Sequence, residues 1–144
     1  MRAIIYERYG GPEVLELREV EAPPLPGTGQ LTVRVAAAAL NPKDVLVRKG
    51  KFRWMTGLRF PQTPGYDVAG VISAVGPGVH GLNVGMPVYG MIQSWKAGAY
   101  AESVVMPAAQ VAPKPPSLTM AEAAAAHALM ESSEHIGKIM LDCG

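Results

Sequence analysis

The 144 residues carry thirteen Lys or Arg against twelve Asp or Glu, a net charge of +1, with 49% hydrophobic and 17% charged residues. That balance excludes a disordered chain, whose charged share runs higher, and argues against a polyanion-binding surface as the main function. The single cysteine, Cys143, excludes an internal disulfide and any cysteine-built zinc site.

Met1 leads directly into a strand pattern rather than a secretory leader. No apolar run approaches the ~18 residues of a membrane span, so a single cytoplasmic, β-rich domain is expected. Short alternating runs predict strands over 2–7, 14–20, 31–39, 68–75, 86–90, 99–105 and 111–113. Between them stand Gly10-Gly11-Pro12, Pro23-Pro24-Leu25-Pro26-Gly27, Pro64-Gly65 and Gly76-Pro77-Gly78, which are turn-forming sequences. Asn41-Pro42 has the chemistry of a helix start, an Asn cap with Pro at the first helical position, and predicts a short helix over 42–49. All thirteen prolines lie between Pro12 and Pro116, so the composition changes at Ser117. Beyond it, Thr119-Met120-Ala121-Glu122 fits a capping box ahead of a helix over 121–132, and a last strand is expected over 136–141.

Gly76-Pro77-Gly78-Val79-His80-Gly81 matches the dinucleotide fingerprint letter by letter. The chemistry needs a helix immediately afterwards, so that its N-terminus meets the pyrophosphate. Here Asn83-Val84-Gly85-Met86-Pro87 follows, and the stretch reads as a turn. Residues 43–59 hold six cations, Lys43, Arg48, Lys49, Lys51, Arg53 and Arg59, against one acid, Asp44. With Phe52, Trp54 and Phe60 interleaved, this loop could bind single-stranded nucleic acid. The plainer reading is a solvated loop whose aromatics pack inward. His80, His127 and His135 have no metal-ligand spacing, and no nucleophile stands in a recognisable motif. Tyr66, Tyr89 and Tyr100 fall at strand ends beside glycine, where a phenol can donate to a carbonyl or simply pack.

Several segments in order resemble the GroES-like catalytic domain of the medium-chain dehydrogenase/reductase superfamily, most closely its quinone oxidoreductase branch. They are Met1-Arg2-Ala3-Ile4, Gly11-Pro12-Glu13-Val14-Leu15, Asn41-Pro42-Lys43-Asp44 and Phe60-Pro61. Pro64-Gly65-Tyr66-Asp67-Val68-Ala69-Gly70, Val75-Gly76-Pro77-Gly78-Val79, Gly98-Ala99-Tyr100-Ala101-Glu102 and Ala112-Pro113-Lys114-Pro115 complete the set. The resemblance covers about residues 1–125. It implies a mainly β fold, a partly open GroES-like barrel with a few short helices and a C-terminal helix plus strand. One departure is Gly85-Met86-Pro87-Val88, where the family commonly has Gly-Asp-Arg-Val.

Zinc-dependent members of that superfamily carry Cys and His where this chain has Asn41 and Tyr66, so the resemblance implies a zinc-free reductase. By the same likeness Asn41 lies near the nicotinamide and substrate. Asn41, Lys43, Tyr66 and Tyr89 are the candidate catalytic residues lining the cleft. The implied chemistry is NADPH-dependent reduction of a small quinone or enone, with a homodimer as the candidate assembly and no membrane or nucleic-acid partner. Family members insert a Rossmann cofactor domain after the proline-rich end and then return to the first domain. Here the return segment follows directly on the exit helix, which implies that residues 1–144 are the catalytic domain with a join at about 124–127 replacing the cofactor domain. Such a chain is expected to bind no NADPH and to be inactive alone. The alternative from another class is a GroES-like interaction module.

Overall fold

The computed structural model describes the backbone of residues 1–131 and 140–142, with side chains through Ala125. β1 (Arg2–Ile5) and β2 (Glu16–Glu19) form a separate antiparallel pair. The main sheet is built on the ten-residue β3 (Gln30–Ala39), followed in the chain by α1 (Pro42–Arg48), the short α2 (Arg53–Thr56) and β4 (Asp67–Val75). Then come β5 (Pro87–Met91), β6 (Ser103–Pro107), β7 (Val111–Pro113), α3 (Met120–Glu131) and β8 (Met140–Asp142). Strand order is β6-β3-β4-β5-β7, every neighbour antiparallel, with β8 also on β3. The sheet does not close on itself. The fold is mainly β and a partly open barrel, as the resemblance implied.

β3 organises the molecule because both of its edges are used. β4 runs along one edge, while the other is divided between β6 at Gln30–Arg34 and β8 at Ala37–Ala39. Against β4, Ala36 is an extra residue between the pairs Val35↔Gly70 and Ala37↔Ala69. One inserted residue reverses which face successive side chains meet. Leu31, Val33 and Val35 accordingly face the main core with Val68, Ile72, Val88 and Met106, and past the bulge it is Ala38 that continues it. Ala37 and Ala39 turn to the opposite face, where with Ala69 they meet Ala123 and Ala124 of α3. Five methyl groups let helix and sheet approach closely.

The alanine-rich helix starts as its capping box requires. Glu122 N donates to Thr119 Oγ1 at 3.1 Å, and Thr119 N donates back to Glu122 Oε2 at 2.8 Å. The helix crosses the expected join without a break. Ser132 and residues 136–139 of the expected last strand lie outside the described residues; Met140–Asp142 is a strand.

Two expectations need correction, and one helix is an addition. The strand expected from residue 14 begins at Glu16, because Pro12–Val14 form a 3-10 turn closed by Leu15 N donating to Pro12 O. The strand expected over 99–105 joins the β3 ladder only at Ser103, while Ala101 makes a single bridge to Ala3. Upstream, Ile4 N donates to Tyr100 O and Tyr100 N to Pro64 O, so those backbone groups hold β1 and the 64–65 turn instead. The helix Arg53–Thr56 was not expected at all. The glycine-rich stretch at 76–81 is a turn, as read from its sequence. A Cβ on Gly76 would stand 2.0 Å from Gly27 O, so glycine there serves backbone approach between loops. Among the described residues no helix is long and apolar enough to cross a membrane.

Candidate functional site

Where β3 ends, Asn41 adopts an extended backbone and Pro42 opens α1. The first turn is locked reciprocally: Asp44 N donates to Asn41 O at 3.0 Å, and Asn41 N donates to Asp44 Oδ2 at 2.7 Å. The other carboxylate oxygen, Oδ1, accepts from Gly65 N at 3.2 Å, across 21 residues. Gly65 has φ +96°, and a Cβ there would lie 2.4 Å from the Tyr100 ring, so both conformation and space demand glycine. Asn41 Nδ2 donates to Asp67 Oδ2 at 2.9 Å, which fixes the carboxamide against the start of β4.

One position further along α1, the Lys43 ammonium lies 3.8 Å from the centroid of the Tyr66 ring and 4.8 Å from that of Trp95. Such cation–π contacts are worth ~0.5–1 kcal/mol when exposed and ~2 when desolvated. Phe52 backs Trp95 at 5.2 Å between ring centroids. An open groove of about 880 Å³ runs beside Trp95, with Trp54, Leu58, Pro61, Lys96 and Ala97 among its walls.

Asp44 is 3% exposed and Asp67 fully buried. Burial, with the Asp67 charge adding to it, pushes the Asp44 carboxyl up to about 6, against the N–H donors of Asn41 and Gly65 and the Lys43 charge. The native state therefore binds a proton that the unfolded chain has already released between about pH 4 and 6. The contribution of Asp44 to stability is expected to fall as pH rises through that window, by an amount of order 3 kcal/mol. Burial also raises the phenols of Tyr66 and Tyr100, with the Asp44 charge adding to each. At neutral pH these groups donate hydrogen bonds and do not ionise; the Tyr66 hydroxyl donates to Trp95 O at 3.4 Å.

Of the four residues singled out from the sequence, the structure brings together Asn41, Lys43 and Tyr66. Tyr89 lies on β5 and packs against the alanine layer under α3. The sequence reading missed Asp44, Asp67, Trp95 and Phe52. A signal for the two acids was available: they are the only carboxylates between Glu21 and Glu102, in the segments Asn-Pro-Lys-Asp and Pro-Gly-Tyr-Asp.

The basic loop also differs from its plain reading. Phe60 packs inward, edge-on to Tyr6 and Tyr9, and Phe52 packs inward on Trp95, but Trp54 is 88% exposed. Arg48 is buried and its guanidinium donates to Gly10 O at 2.9 Å. With Lys43 engaged on its two rings, four of the six cations, Lys49, Lys51, Arg53 and Arg59, remain on the surface, and one aromatic is left to stack on a base. Among the described residues no three His, Cys, Asp or Glu side chains are grouped to hold a metal.

Residues 27–116 match the model of the Alcohol dehydrogenase GroES-like domain. The chain belongs to that family. It is 41% identical over 140 residues to a 2-methylene-furan-3-one reductase of Solanum lycopersicum, an alignment covering 92% of this chain and 36% of the relative. To an NADPH-dependent alkenal/one oxidoreductase, chloroplastic, of Arabidopsis thaliana it is 38% identical, covering 93% of this chain and 36% of the relative. The quinone oxidoreductase from Coxiella burnetii superposes with a TM-score of 0.81 at 31% identity, over 86% of this chain and 40% of that one. This GroES-like chain thus spans about a third of the length of the curated relatives it matches. The quinone oxidoreductase branch, inferred from ordered motifs, is represented among these relatives and structures.

Proposed function

We propose that this chain is the substrate side of a zinc-free, NADPH-dependent quinone or enone reductase, and that a cofactor domain is replaced by a join at about 124–127. The observation that carries the reading is the Lys43 ammonium held over Tyr66 and Trp95 beside Asn41. Reducing an enone at its alkene carbon moves negative charge onto the carbonyl oxygen. A cation positioned in advance by two aromatic rings and a capped helix stabilises that charge without reorganising. The apolar groove next to Trp95 suits the hydrocarbon body of such a substrate. Asn41, its carboxamide oriented by Asp67, is assigned to the nicotinamide side of the cleft.

NADPH as a whole does not fit the described residues. They supply no helix N-terminus behind a glycine-rich turn for its pyrophosphate, since the 76–81 turn continues into further turns and β5. In this proposal the dinucleotide belongs to the replaced domain. The unbroken helix across residues 124–127 and the pairing of β8 with β3 are what a direct join would produce.

The test is a chimera in which a relative's Rossmann domain is inserted between Ala124 and His127. It is expected to oxidise NADPH in the presence of an enone, and K43M in that background is expected to lower kcat/KM by roughly 10–100-fold, the loss of ~1.4–2.7 kcal/mol of transition-state stabilisation. A folded chimera that binds NADPH yet reduces neither enone nor quinone contradicts the proposal. Zinc is expected to be irrelevant, because the two superfamily ligand positions hold Asn41 and Tyr66. Elemental analysis of protein purified without added metal should find well under one zinc per chain, and a stoichiometric zinc would refute the zinc-free assignment.

A further inference from the structure

We infer that Asp44 is a positioning residue: its carboxylate clasps the start of α1 to the turn ahead of β4 and thereby sets where the Lys43 ammonium sits. Lys43 and Tyr66 belong to segments more than twenty residues apart, yet the ammonium is held 3.8 Å from the Tyr66 ring centroid. One side chain bridges both segments. Asp44 Oδ2 accepts from Asn41 N at 2.7 Å, on the α1 side, and Oδ1 accepts from Gly65 N at 3.2 Å, next to Tyr66. A carboxylate can accept at both oxygens, whereas an amide offers one acceptor and one donor. An asparagine here would turn its NH2 toward an N–H group and lose one half of the bridge.

The clasp sits among other charged and titratable groups. Lys43 and the buried Arg48 lie on the same helix, Asp67 opens β4 with Tyr66 just before it, Tyr100 comes from the segment before β6, and Tyr6 follows β1. Burial and Asp67 together bring the Asp44 carboxyl up to about 6, so its proton is exchanged within an accessible range. Protonation relieves the repulsion from Asp67, but it removes the second charged acceptor from the bridge. The Lys43 contact with Tyr66 and Trp95 should therefore loosen as the pH falls through about 6.

The role in the reaction rests on the reductase reading above; the clasp does not. Its test is Trp95 fluorescence in the W54F chain, which leaves Trp95 as the only tryptophan. A change in emission centred near pH 6 is expected. Introducing D44N should abolish it, leaving emission flat between pH 5 and 7.5 at the low-pH level. K43M should abolish the change as well, because the ammonium carries it to the indole, and this variant decides the matter if D44N fails to fold. A W54F chain with no transition near pH 6, or a transition that persists in folded D44N or K43M protein, overturns the inference. The chimera assay fails independently: an inactive chimera leaves the fluorescence result standing as a structural clasp alone.

Discussion

Truncation after Pro116 is expected to abolish the cooperative thermal transition of this domain. The removed segment contains α3 and β8. Ala123 and Ala124 are buried against Ala37, Ala39 and Ala69, with Tyr89 packed at the border of the same layer. β8 pairs with Ala37–Ala39, the half of the β3 edge that β6 does not reach. Uncovering methyl groups costs ~0.8 kcal/mol each, and N–H and C=O groups left buried without partners cost ~1–3 kcal/mol each. Together these losses are comparable with the roughly 5–15 kcal/mol that holds a domain of this size folded. A helix of this length is marginal in water by itself, so its formation and its packing on the sheet are a single event. The side chains expected from the sequence to carry this packing, Leu129, Met130, Ile136, Ile139 and Leu141, lie outside the described side chains. The alanine layer supports the same expectation by itself. Differential scanning calorimetry decides it: a truncated chain that keeps the parent's midpoint and a single sharp transition would show that the segment is not part of the cooperative unit.

Local chemistry made much of this fold legible. Asn41-Pro42 and Thr119-Met120-Ala121-Glu122 each satisfy a helix's first backbone donors within four residues, and both helices start where those residues stand. The false dinucleotide fingerprint was recognisable because proline and glycine soon after it forbid the helix that its chemistry needs. What could not be read were the consequences of long-range pairing. Nothing local announces that Ala36 is the bulge residue that turns Ala37 and Ala39 toward α3. The backbone of Ala99–Glu102 looks like strand, but it is claimed by β1 and by Pro64 and Gly65. In the site, Lys43 and Tyr66 were found through motifs, while Trp95 was missed because it reaches them from a loop some thirty residues further on. Tyr89 looked equivalent to Tyr66 in sequence; its register on β5, opposite Ala69, places it with the alanine layer instead.

The second large effect concerns the cofactor. This chain is expected not to bind NADPH measurably, despite belonging to a family with NADPH-dependent members. A dinucleotide gains much of its affinity where backbone N–H groups at a helix N-terminus meet the pyrophosphate, with the helix dipole assisting. Of the helices described, α1 begins under Asp44, which already accepts at its first turn, and α2 has only four residues. The third, α3, is capped by Glu122, whose carboxylate repels an anion. On the proposed reading Asn41 meets only the nicotinamide end, and one amide contact cannot hold a molecule carrying several negative charges. On that same proposed reading the chain supplies the substrate side of a reaction and leaves the cofactor to another domain, and calorimetric titration with NADPH tests that division most directly. No saturable heat up to millimolar NADPH is expected from the folded 144-residue chain. A micromolar dissociation constant would contradict it.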